Sequence, residues 1–107
     1  MTDFNYVKLP SDGATPRQVA FAVNLLIDGK FNSTGSVTLT ASAASTAVTD
    51  YRAGPDSVIL FTPTTANAAA EQGGGTMYLS ARAKQGFTIT HANNSQTDRT
   101  FLYIVIG

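Results

Sequence analysis

Hydrophobic positions along this chain repeat at two periods, and the change falls between residues 29 and 36. Before it, Val19, Val23 and Leu26, flanked by Ala20, Ala22 and Ile27, recur at helical spacing. Thr15 is a good N-cap, Pro16 takes the first helical position, and Gln18 completes a capping box three residues after Thr15. Asp28-Gly29 ends the predicted helix, with Gly29 placed for a left-handed cap. Phe21 and Leu25 widen the apolar surface beyond one stripe, so the helix is expected to pack against two surfaces. Ahead of it, residues 1–14 scatter apolar side chains among Pro10, Asp12 and Gly13, and read as an extended arm and turn.

From Ser36 the period is two. Ser36–Thr40 and Ala47–Thr49 alternate, Thr76–Ala83 sets Met77, Leu79, Ala81 and Ala83 against Tyr78, Ser80 and Arg82, and Phe87–His91 alternates again. Ser57–Thr62 is nearly continuous apolar, which predicts a central strand covered on both faces. Thr100–Ile106 is apolar on both sides, with Phe101, Tyr103 and Val105 opposite Leu102, Ile104 and Ile106. Residues 64–72 have room for one or two helical turns. Six short strands separated by turn chemistry make the expected fold mainly β, an antiparallel β-sandwich or barrel preceded by the arm and one α-helix. The arm and helix occupy residues 1–35 and the β domain residues 36–107 of a single unit, since 107 residues leave no room for a second core.

Composition narrows the function classes. Charged residues are only 13% of the chain, and seven basic side chains balance seven acidic ones. With no electropositive half, a nucleic-acid or anionic-membrane partner held by charge is not expected. The chain has no cysteine, which removes disulfides, thiolate metal sites and a cysteine nucleophile. No apolar run is long enough to span a bilayer, and residues 1–15 hold no signal-peptide core. Fifteen Thr and fifteen Ala supply a neutral, small-residue surface suited to contacts between copies, where buried charge is costly.

Few residues suggest chemistry. His91 is the single imidazole, and it closes a strand beside a polar loop. A Ser-His-Asp triad lacks a Gly-x-Ser-x-Gly elbow, one His without Cys is too few for zinc, and the scattered acids form no calcium loop. Gly73-Gly74-Gly75 is not followed by the Lys-Ser or Lys-Thr of a phosphate loop. Arg82 and Lys84, on one strand face with Tyr78 and Ser80, are expected on a solvated or intersubunit sheet face. Asn93–Arg99, dense in amides and hydroxyls, should order itself through side-chain to backbone hydrogen bonds, with Asp98-Arg99 in support. Catalytic, metal and cofactor sites are therefore not expected, and the chain is not expected to be an enzyme.

Three segments together carry a resemblance. They are Thr62-Pro63-Thr64-Thr65-Ala66-Asn67-Ala68-Ala69-Ala70, Tyr78-Leu79-Ser80-Ala81-Arg82-Ala83-Lys84, and His91-Ala92-Asn93-Asn94-Ser95-Gln96-Thr97-Asp98-Arg99-Thr100-Phe101. In this order they resemble a family of small tailed-phage and prophage virion proteins, over residues 36–107. The resemblance implies a structural component of the head-fibre, decoration or tail-fibre kind, a homotrimer that meets capsid or other virion proteins and is located in the virion after synthesis in the host cytoplasm. It carries over no catalytic or ligand residues. The residues expected to bind partners are Phe4, Tyr6, Val7 and Leu9 of the arm with Val19, Val23 and Leu26 of the helix, isolated apolar anchors whose burial would offset the ordering of the segment. The alternative is a tail-fibre adhesive module holding a host glycan on Tyr51, Tyr78 or Tyr103.

Overall fold

The local signals around Thr15 act as expected. In the structure, a computed structural model that describes Leu9, residues 12–30 and residues 32–107, α1 runs Pro16–Ile27. The Thr15 backbone N–H donates to Gln18 Oε1 at 2.8 Å, and the Gln18 N–H donates back to Thr15 Oγ1 at 3.2 Å. Gly29 closes the helix with φ +76°, in the left-handed region that a Cβ disfavours. No residue of α1 is buried. The chain divides into two units, residues 1–32 and residues 33–107. No described helix is long and apolar enough to cross a membrane.

The second unit is a small antiparallel β-sandwich of six strands. These are β1 (Thr34–Thr38), β2 (Ser45–Thr49), β3 (Val58–Pro63), β4 (Tyr78–Ala83), β5 (Gly86–Thr90) and β6 (Thr100–Ile106), with α2 (Ala66–Gly73) between β3 and β4. They form two three-stranded sheets, ordered β1-β6-β3 and β2-β5-β4. Alternation decides which side chains enter the space between them: Ile59, Phe87, Ile89, Phe101, Tyr103 and Val105 are buried there, and Leu39, Ala53 and Ala68 join them in one cluster. Aromatic rings dominate this core. Phe87 and Tyr103 meet edge to face at 5.3 Å between centroids, and Phe61 lies about as near Phe87, at 6.2 Å, as Phe101, at 6.1 Å. Gly35 is required beneath this cluster, because a Cβ there would stand 2.5 Å from Tyr103 Cζ.

Two expectations are corrected. The apolar run at 57–62 forms β3, which is an edge strand; β6 is the central strand, pairing with β1 on one side and β3 on the other. Only Ile59 of β3 is buried, while Val58 and Leu60 point away from the core and are exposed. A strand can be apolar on both faces without being covered on both. The second correction concerns β4. A bulge between Leu79 and Ala81 shifts its phase, so Tyr78 pairs opposite Thr90 and Ala81 opposite Thr88, whereas Arg82 pairs opposite the core residue Phe87. Arg82 thus leaves the face of Tyr78 and donates from Nη1 to the Ser57 carbonyl at 3.1 Å. Lys84 lies in the turn that follows.

Candidate functional site

Several buried polar groups of the β unit converge on Arg99. Arg99, immediately before β6, is fully buried, and its Nη1 meets Glu71 Oε1 of α2 at 2.9 Å. Glu71 is aimed inward because Thr65 caps α2, accepting from the Ala68 N–H at 3.1 Å, and residues 68 and 71 then share the helix face that is buried. The second carboxylate oxygen accepts the Ala92 N–H at 3.1 Å. Arg99 also donates to the Ala92 carbonyl at 2.8 Å and to the Thr40 carbonyl at 3.2 Å. Its Nε, like Ser33 Oγ, is buried without a partner among the described residues.

His91 completes this cluster from the end of β5. The tautomer that engages both ring nitrogens has Nδ1–H donating to the Ala92 carbonyl at 2.9 Å and the Thr46 hydroxyl donating to Nε2 at 2.8 Å. Thr46 Oγ1 accepts the Thr40 N–H at 2.8 Å in turn. The imidazole is 2% exposed. It shares Arg99 and the Ala92 backbone with the Glu71 carboxylate, and both of its ring nitrogens are engaged. A shallow cleft of about 200 Å³ opens over Glu71, Ala92, Asn94 and Gln96. Its polar rim is turned on itself, since Asn94 Oδ1 accepts the Gln96 N–H at 3.0 Å. The loop at 93–99 orders itself in the expected manner, and Asp98 adds a tie to α2 by accepting from Asn67 Nδ2 at 2.7 Å.

A second constellation, Asp50 with Arg52 and Tyr103, has no motif in the sequence; the only available signal was an acid and an arginine two residues apart. Arg52 grips the buried Asp50 carboxylate through Nε at 2.9 Å and Nη2 at 2.6 Å, and Tyr103 donates its hydroxyl at 2.6 Å. The Arg52 hydrogen bonds hold the Asp50 carboxyl well below the usual carboxylate range, against the opposing effect of burial. Burial, then the Asp50 carboxylate, push the Tyr103 phenol up to about 12. Tyr103 is thereby a core residue and cannot serve as a stacking platform. Tyr51 and Tyr78 do face outward, 62% and 60% exposed.

Of the residues expected to bind partners, Phe4, Tyr6 and Val7 lie outside the described residues, and Leu9 is exposed. Val19, Val23 and Leu26 fall on one stripe of α1 together with Ile27, and all four are exposed. Among the described residues no three His, Cys, Asp or Glu side chains come together as a metal-binding group. Comparison with family models, curated proteins and solved structures returns no match, so the likeness to phage virion proteins rests on the three segments quoted above.

Proposed function

We propose that this protein is a structural component of a bacteriophage virion, of the head-fibre, decoration or tail-fibre kind, that assembles as a homotrimer and docks through its N-terminal segment. The observation that carries the reading is α1. A 12-residue helix is marginal alone in water even when well capped, and this one buries none of its residues. Its exposed stripe of Val19, Val23, Leu26 and Ile27 holds no charge, which suits an apolar partner surface. The polar groups of the β unit support a non-catalytic role in the same reading, because Arg99, Glu71 and His91 are engaged with one another and with backbone.

Deleting residues 2–28 is expected to leave a folded β unit that no longer incorporates into particles, measured by co-sedimentation with virions. Normal incorporation of the shortened chain would place the anchor on the β unit and overturn the arrangement. The exposed rings of Tyr51 and Tyr78 favour a second reading, a glycan-binding tail module. A glycan array probed with the full chain separates the two.

A further inference from the structure

Glu71 and Ala92, both part of the Arg99 cluster, also line the cleft of about 200 Å³, together with Gly74, Thr76, Asn94 and Gln96. Glu71 is the single ionised side chain in that lining, and Arg99 matches its charge. Of about four lone-pair positions on a carboxylate, Glu71 uses one on Arg99 Nη1 and another on the Ala92 N–H. The bond from the Gln96 N–H to Asn94 Oδ1 fixes the rim. Asn94 Nδ2 reaches Gln96 Oε1 only at 3.5 Å, and Gln96 Nε2 and the Thr76 hydroxyl have no hydrogen-bond partner among the described residues. Tyr78, 60% exposed, pairs opposite Thr90 in the β4-β5 ladder. Thr76 and Ala92 each lie two residues beyond that pair, so the Cα atoms of Tyr78 and Thr76 are at most ~7 Å apart. The exposed ring is within a side chain's reach of the cleft.

We infer that this cleft holds one ring of a neutral sugar, with Tyr78 against the C–H face of that ring. The assignment deepens the glycan-binding reading above and rests on it. An anion would meet the Glu71 carboxylate, and a cation would find that carboxylate already paired. An apolar ligand would leave the Asn94, Gln96 and Thr76 groups without partners. A sugar ring answers both kinds of surface. Its hydroxyls, each donor and acceptor, suit the side-chain amides, Thr76 and the remaining lone pairs of Glu71, and its C–H face suits an aromatic ring. Size agrees, because the volume lies below the ~300–1,000 Å³ of pockets for drug-sized ligands and leaves the rest of a glycan outside. Asn94 is tied within its own loop and Glu71 is clamped by Arg99, so these groups are held in place before a ligand arrives. Tyr51, the other exposed tyrosine considered above, lies outside this lining.

The test is an NMR titration of the nitrogen-15-labelled full chain with the methyl glycosides of glucose, galactose, mannose, N-acetylglucosamine and rhamnose. At least one is expected to shift the Thr76, Ala92, Asn94 and Gln96 amides saturably, with a dissociation constant on the order of a millimolar. Tyr78→Ala and Gln96→Ala should each weaken that binding roughly tenfold, through loss of the stacking face and of a hydrogen-bond donor. Tyr51→Ala should leave it unchanged. The same spectra report whether each variant is folded, and if Gln96→Ala disturbs the loop, Gln96→Glu, which keeps the size and removes the donor, takes its place. Shifts centred on Tyr51, or binding that survives both cleft variants, overturn the cleft and leave the glycan reading standing. No saturable shift with any of these glycosides overturns both.

Discussion

At the scale of single residues, Asp50 and Tyr103 make stability depend on pH at both ends. The Asp50 carboxyl is depressed in the fold, so its contribution is complete above the unfolded value near ~4 and is lost as pH falls through that value toward the folded one. Tyr103 is raised to about 12, so its contribution is complete below the unfolded value of 10.0 and is lost as pH climbs to the folded one. Urea midpoints measured across the pH range should form a plateau with a fall on each side. Asp50→Asn should flatten the acid side, and Tyr103→Phe should remove the part of the alkaline fall that belongs to its phenol. Each is expected to cost roughly 1–3 kcal/mol near neutrality, the range for losing a hydrogen bond to a charged group or leaving a buried one unpaired. An acid limb unchanged in Asp50→Asn would mean that another carboxyl sets it.

At the scale of elements, the β4-β5 hairpin is closed by Lys84 and Gln85, and Gln85 has φ +64°. Its backbone is engaged on both sides, the N–H donating to the Ala53 carbonyl at 2.8 Å and the carbonyl accepting the Asp50 N–H at 3.1 Å. Those bonds hold a glutamine where glycine is favoured. Gln85→Gly keeps both bonds and relieves the side chain, so thermal denaturation should show a gain of about 0.5–1 kcal/mol; a loss would show that the glutamine side chain contributes contacts of its own. The Gln85-Gly86 turn itself was legible in the sequence, as were both caps of α1 and the alternation of β5, because each depends on residues within a turn of one another. The bulge in β4 was not. It is set by how Tyr78–Ala83 registers against β5, and the sequence of β4 alone keeps strict alternation.

At the scale of the whole β unit, the Arg99 cluster ties α2 and the approach to β6 to β2 and β5, and so joins one sheet to the other. Arg99→Met leaves Glu71 buried without its cation, a loss of roughly 3–5 kcal/mol. The double variant Arg99→Met/Glu71→Leu removes both charges and the orphaned Nε, and should unfold at a higher temperature than the single one. Equal melting temperatures would show that the pair is not coupled. Much of this architecture was written locally. Periods of 3.6 and two separated α1 from the strands, apolar alternation marked which side chains of β5 enter the core, and the polar density of 93–99 announced a self-ordered loop. Tertiary structure decided what depends on partners far along the chain. Val58 and Leu60 have the same neighbours in sequence whether β3 is central or at an edge, and only its pairing with β6 alone leaves them on an outer face. Asp50 meets Tyr103, and Arg99 meets Glu71, across separations of 53 and 28 residues. No local pattern encodes such meetings, because they arise from the order in which strands stack and from burial that leaves each polar group no partner but the other.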